Sequence, residues 1–172
     1  YLPHFNKPEL DAKLSKAGIK YLFLGRELGA RPEDSACYDL TGKALYEKIA
    51  ATPLFSEGIQ RAIAESKKEK ISLLCAEKDP MTCHRTILVC EKLRRFDLQI
   101  NHILADGNLE SQEELEERLL AKFNKSKKQS KAVQLSLFEP PPLPPEEVDL
   151  EEAYRRQGRE IAYVKSKKKE KK

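Results

Sequence analysis

The sequence predicts an α/β fold, a small layered domain on a parallel sheet that lacks its first strand, followed by a disordered C-terminal tail. Three observations carry this reading. Short, nearly continuous apolar runs, IKYLFL (Ile19 to Leu24) and ISLLCA (Ile71 to Ala76), alternate with longer stretches of helical apolar spacing. Such alternation implies strands joined in parallel by right-handed crossovers. ISLLCA is apolar almost throughout, as suits a strand covered on both faces. From residue 125 the composition changes to lysine and serine runs and the proline cluster EPPPLPP, with almost no periodic apolar face. A chain of 172 residues holds one ordinary domain and an appendage. The boundary is placed near Asn124, with the domain at 1–124 and the tail at 125–172.

The elements follow in order. Pro8 opens a helix with Leu10 and Leu14 on one face and Gly18 as its stop. Ile19 to Leu24 then reads as a strand. The segment GRELGARPEDSACYDLTGK has no periodicity and is longer than usual connections, which marks a candidate functional loop. Two short helices are expected around Ala44 to Ala51 and Leu54 to Ser66, and Ile71 to Ala76 forms the next strand. In CHRTILVCEKLRR, Ile87, Leu88, Cys90 and Leu93 recur at helical spacing, and Arg94 and Arg95 oppose the dipole in the last turn. QINHIL reads as a strand and ADGN as a turn. Ser111 and Glu114 make an S-x-x-E capping box ahead of a last helix. In the tail, Val148 to Val164 carries Leu150, Ala153 and Tyr154 near helical spacing and is expected to order on binding, with Gly158 weighing against it.

Charge divides at the same boundary. The tail holds 13 Lys and Arg against 8 Asp and Glu, a net of +5, so the domain carries −1 of the total of +4. Nucleic-acid attraction, if any, resides in the end KSKKKEKK, where six lysines in eight residues touch phosphates without reading sequence. A solubilising tail is the competing reading. Four cysteines, Cys37, Cys75, Cys83 and Cys90, are too few and too unevenly spaced for a secreted disulfide framework, so reduced thiols and a cytoplasmic location are expected. There is no membrane-length apolar run and no signal peptide. Tyr1 reads as the start of a fragment.

The chemistry concentrates in LLCAEKDPMTCHRTIL, Leu73 to Leu88. With a strand before it and a helix after it, EKDPMT lies at the carboxyl edge of a parallel sheet, where such folds bind ligands. The first helical amides carry the positive dipole end, and Arg85 in that turn suits bidentate capture of a phosphate or carboxylate. Cys83 gains thiolate character from the same placement. Four readings stand side by side. One is thiolate chemistry with Cys83 or Cys75 as nucleophile, His84 as base and Arg85 as anion holder. Another is a metal site using Cys75, Cys83 and His84, against which adjacent Cys83 and His84 are awkward as ligands of one ion and no fourth ligand is evident. A third is a reversible Cys75–Cys83 disulfide. The last is structural: Cys75 a small buried hydrophobe, Cys83 a helix cap and Arg85 a surface residue. Anion binding leads the functional readings, and neither a cofactor nor a metal is assigned. A likeness of CAE…PMTC to the zinc deaminase signature is set aside, because Pro80 is not followed by cysteine and the pieces lie on one loop.

YLPHFN at Tyr1 to Asn6, AGIKYLFLGRELGA at Ala17 to Ala30, LLCAEKDPMTCHR at Leu73 to Arg85 and INHIL at Ile100 to Leu104 closely resemble the bacterial and archaeal family called domain of unknown function 488, over about residues 1 to 124. The resemblance implies a small α/β protein with a parallel sheet. It also implies a site built from the Cys-His-Arg loop, the Leu-Gly-Gly-type loop and the opening segment. On that basis Cys75, Glu77, Cys83 and His84 are candidate catalytic residues, and Arg85, His4 and Asn6 candidate ligand-binding residues. Tyr38, Arg26 and Glu27 on the long loop are weaker candidates. Two departures stand out: the family's first strand, with its Asp-Val-Arg stretch, would precede Tyr1, and Ala30 replaces the second glycine of the Leu-Gly-Gly element.

QLSLF, comprising Gln134, Leu135, Ser136, Leu137 and Phe138, is similar to the pentapeptide by which bacterial DNA-metabolism proteins dock on the sliding clamp. Leu137 and Phe138 suit an apolar pocket, Gln134 offers an orienting amide, and Pro140 to Pro142 keep the segment extended. These readings converge on a domain that binds a phosphate-bearing ligand, a nucleotide or nucleic acid, at the Cys83-His84-Arg85 loop. A cysteine-dependent step and clamp tethering complete the expectation. A non-enzymatic adaptor in DNA metabolism is the competing class.

Overall fold

The structure is a computed structural model that describes residues 6–129 and 148–165, the side chains of 125–129 excepted. Helix α1, Lys7–Lys16, has proline in its first turn. It ends where Gly18, at φ +71°, lets the amides of Gly18 and Ile19 return to the carbonyls of Ser15 and Leu14 at 3.1 and 2.9 Å. The long loop that follows is held by local polar contacts. Asp34 accepts from Ala36 N–H to open the 3-10 turn Ser35–Cys37, and one Asp39 oxygen accepts from the amides of Thr41 and Lys43.

Helix α2, Tyr46–Ala50, leads through Thr52 into α3, Pro53–Ser66. The Thr52 hydroxyl accepts from Phe55 N–H at 3.2 Å, and Pro53 occupies the first helical position. The buried residues Phe55, Gly58, Ile59, Ala62 and Ile63 recur at the spacing of one helix face. After a 3-10 turn, Pro80–Thr82, the chain winds through a π-helical stretch, Arg85–Cys90, into α4, Glu91–Leu93. Thr86 through Glu91 are all buried, so this segment is the axis of the core and not an amphipathic surface helix.

Strand β1, Asn101–Ile103, pairs antiparallel with β2, Leu109–Ser111, across a turn in which Gly107 holds φ +88°. The expected capping box forms. Ser111 Oγ accepts from Glu114 N–H at 3.2 Å while the Glu114 carboxylate accepts from Ser111 N–H at 2.8 Å, which starts α5, Gln112–Gln129. Leu115, Leu119 and Phe123 face inward from α5 at four-residue spacing. Burying side chains such as Phe55, Leu88, Leu115 and Leu119 contributes about 1.5–3 kcal/mol each.

Two expectations differ from the structure. The fold is mixed α and β, but the sheet seen among the described residues is the two-stranded antiparallel β1–β2 and not a parallel layer. Among the described residues Ile19 to Leu24 and Ile71 to Ala76 pair in no ladder, and Phe23 and Leu74 are exposed. Their apolar composition suits a strand, yet a strand exists only where a second backbone meets its hydrogen-bonding edge. The other difference is in the tail. Residues 150–161, expected to order only on binding, form helix α6, Leu150–Ile161, capped by Asp149, whose carboxylate accepts from Glu152 N–H at 2.8 Å. Ala153, Tyr154, Gln157 and Gly158 are buried against α2, α5, the π-helical stretch and the Pro80–Thr82 turn. Four small or polar residues make a weak apolar signature, so the sequence pattern understated a helix held by hydrogen bonds and close approach.

The hydrogen bonds form a buried chain. His102 Nε2 pairs with Gln112 Oε1 at 2.9 Å, and Gln112 Nε2 donates to the Tyr154 hydroxyl at 2.5 Å and to Glu116 at 3.0 Å. The Tyr154 hydroxyl donates in turn to Glu116 at 2.9 Å. β1, α5 and α6 are thereby joined through groups that would each cost free energy if left unpaired.

Candidate functional site

Cys83 occupies the junction between the 3-10 turn and the helix. Its backbone is extended (φ −107°, ψ 130°), and His84 already has helical angles (φ −60°, ψ −28°). The Cys83 carbonyl accepts from the amides of Thr86 and Ile87, both at 3.1 Å. This change of backbone direction between neighbours brings two adjacent side chains to one place. The Cys83 thiol is fully buried, while His84 is half-buried.

Cys75, near the end of the run Ile71 to Ala76, reaches the same place from the other side of the loop. Its thiol donates to Glu77 Oε2 at 2.6 Å and lies 3.4 Å from His84 Nδ1. Cys83 Sγ is 3.6 Å from the same Glu77 oxygen. The ligand atoms of Cys75, Glu77, Cys83 and His84 all lie within 4.8 Å of one another. The intervening turn is held by Asp79, which accepts from Met81 N–H at 3.0 Å, and by the fully buried Gln157 of α6, whose Nε2 donates to the Met81 carbonyl at 2.7 Å.

The electrostatics distinguish the thiols. The neighbouring Cys75 thiol holds Cys83 below the ordinary thiol value against the opposing effect of burial, helped by the Arg85 amide and guanidinium. Cys75, beside Cys83 and desolvated, is pushed up, with His84 acting in the opposite sense. Glu77 lies below the usual carboxylate value: burial acts to raise it, and the hydrogen bond from Cys75 and the charge of His84 prevail. Cys90 is pushed up to about 12 by burial and is an inert core thiol. Burial likewise raises Cys37.

Arg85 opens the π-helical stretch. Its Nη1 donates to the Leu73 carbonyl at 3.1 Å, so one arm of the guanidinium ties the extended run to the helix, and its backbone amide faces the Cys83 sulfur. Asn6 stands before α1, its carbonyl accepting from Leu10 N–H at 2.9 Å. His4 and the peptide Gln134 to Phe138 lie outside the described residues. On the long loop, the Tyr38 hydroxyl donates to the Pro32 carbonyl at 2.8 Å and Glu27 pairs with Arg61 at 3.3 Å, which are structural roles.

One neighbour of the cluster was not singled out from the sequence. The buried Tyr46 phenol is raised by desolvation and then by the proximity of Cys83, Glu77 and Cys75, so it lies near the cluster. A Cβ at Gly158 would lie 3.1 Å from Tyr46 Cδ2, so α6 approaches that ring closely. The isolated glycine inside a helical pattern was the one available signal, because such a residue often marks close packing.

A family model described as Domain of unknown function DUF488 matches residues 2–91, more than half of the chain. The chain belongs to that family. Neither a curated protein nor a solved structure gives a significant match. Cys75, Glu77, Cys83, His84 and Arg85 all fall inside the DUF488 segment, whereas α5 and α6, which brace the site loop, lie beyond it. No helix among the described residues is long and apolar enough to cross a membrane.

Proposed function

We propose that this DUF488 protein acts on a phosphate-bearing ligand, a nucleotide or nucleic acid, at the loop formed by Cys75, Glu77, Cys83, His84 and Arg85, with Cys83 as its reactive thiolate. The observation that carries the reading is the convergence of four chemically active side chains within 4.8 Å at the start of a buried helix, beside a guanidinium. Arg85 makes one side-chain hydrogen bond among the described residues, which leaves the remainder of its donor fork for an anion. A thiol held by a neighbouring donor, a backbone amide and a cation is arranged as a nucleophile. Delivery to DNA follows from the resemblance of Gln134 to Phe138 to a sliding-clamp peptide, with the lysine-rich end adding sequence-independent attraction to phosphates.

The test is fluorescence anisotropy of a labelled 5′-phosphorylated DNA oligonucleotide titrated with the full chain at fixed salt. Arg85→Ala is expected to weaken binding at least tenfold. Unchanged binding would remove the anion role. Cys83→Ser should abolish any turnover of the bound oligonucleotide, and removal of Gln134 to Phe138 should abolish retention on an immobilised bacterial clamp while leaving oligonucleotide binding intact.

A further inference from the structure

We infer that Cys75, Glu77, Cys83 and His84 form a four-ligand site for a zinc-class divalent metal. The inference rests on the reading that this cluster is the working centre and names the ion that the centre holds.

The donor set is complete. Two thiols, one imidazole nitrogen and one carboxylate oxygen supply four ligands, the number and chemistry of a tetrahedral zinc centre. Zinc bonds of about 2.0–2.3 Å place ligand atoms roughly 3.3–3.8 Å apart on the edges of a tetrahedron. The Cys75 Sγ to His84 Nδ1 distance of 3.4 Å and the Cys83 Sγ to Glu77 Oε2 distance of 3.6 Å already fall there. The Cys75 Sγ to Glu77 Oε2 distance of 2.6 Å is shorter than such an edge, and a metal replacing the thiol proton would hold the two atoms further apart.

Glu77 supplies the ligand that the cysteines and histidine lack. The backbone turn at Cys83 answers the difficulty of adjacent ligands, since extended Cys83 and helical His84 send neighbouring side chains to one point. Charge supports the same conclusion. Two thiolates and a carboxylate within 4.8 Å repel one another, and the nearby Arg85 offers a single positive charge, one arm of which is engaged by the Leu73 carbonyl. A doubly charged ion lets all three anions coexist with a neutral histidine. The frame is set in advance by the Asp79 cap and by the Gln157 hydrogen bond to Met81, which reduces the ordering cost of binding. A metal-bound thiolate remains deprotonated and can still act as a nucleophile, so the ion is compatible with the role proposed for Cys83.

The experiment uses the full chain, purified under reducing conditions, stripped with chelator and titrated with Co²⁺ and then Zn²⁺. One equivalent of Co²⁺ is expected to give tetrahedral visible bands and a thiolate-to-cobalt charge-transfer band, both lost on adding one equivalent of Zn²⁺. Glu77→Gln, at an exposed position that does not threaten folding, should weaken Zn²⁺ binding at least tenfold. Cys83→Ser should lower the charge-transfer intensity from that of two thiolates to that of one at most, and Cys37→Ala, a buried thiol outside the cluster, should change nothing. Absence of the cobalt bands in the reduced wild-type chain, with the alkylation rate of the half-buried Cys75 unchanged when Zn²⁺ is added, overturns the proposal. Oligonucleotide binding that survives in that metal-free chain leaves the functional reading standing, whereas stoichiometric zinc without oligonucleotide binding supports the metal site and removes the functional reading.

Discussion

Replacing Gln157 by leucine tests whether α6 supports the site loop. Gln157 is 2% exposed and bridges two partners: its Nε2 donates to the Met81 carbonyl at 2.7 Å, and its Oε1 accepts from Lys122 Nζ at 2.5 Å. Leucine has nearly the same volume, so little cavity forms and the polar changes dominate. The Lys122 ammonium is 37% exposed and also pairs with Glu160, so water and that carboxylate compensate most of its loss. The Met81 carbonyl belongs to a buried residue and has no such recourse. Leaving it unpaired costs about 1–3 kcal/mol, partly offset by burying more apolar surface. Net destabilisation of about 1–2 kcal/mol is therefore expected, equivalent to a fall of roughly 2–8 °C in Tm for a chain of this size. Urea unfolding should show a lower midpoint with an unchanged slope, and hydrogen exchange should show faster opening of Pro80–Thr82. If the variant matches the wild type in both measurements, α6 is an independent appendage and the argued coupling to the loop is wrong.

Other outcomes concern the rest of the frame. His102 is held below the ordinary histidine value of 6.5, first by burial; the hydrogen bond to Gln112 and the charge of Glu110 oppose this, and Arg85 and Arg118 reinforce it. The folded state thus resists a proton that the unfolded state accepts, so stability is full above pH 6.5 and is lost as pH falls towards the folded value, at no more than about 1.4 kcal/mol per pH unit. Unfolding free energies at pH 7.5 and 5.5 should differ less in His102→Gln than in the wild type, and an equal difference would refute the assignment. Gly107→Ala places a side chain at φ +88° with nothing within 4 Å of the new Cβ, so a loss of about 1 kcal/mol should arise from backbone conformation alone. An unchanged denaturation midpoint would show that the β1–β2 turn tolerates the change.

Local features were legible in the sequence because local interactions decide them. Gly18 and Gly107 sit where φ is positive, Pro8 lies in the first turn of α1, and Ser111 and Glu114 close a reciprocal cap, each through atoms only a few residues apart. Leu73 to Arg85 could likewise be singled out, since unusual residue types were concentrated on one short passage. Pairing and burial were not legible. Ile19 to Leu24 and Ile71 to Ala76 have the composition of core strands, but a ladder requires a second backbone at the right distance, which no property of either run specifies. Glu77 joined the two cysteines and His84 only once the chain turned between extended Cys83 and helical His84. α6 was settled by Gln157 reaching Met81 and by Tyr46 filling the space beside Gly158, contacts spanning more than 70 residues in the first case. Sequence spacing governs what neighbours along the chain can do, whereas convergence of distant groups depends on how helices pack, and that is determined by the whole core at once.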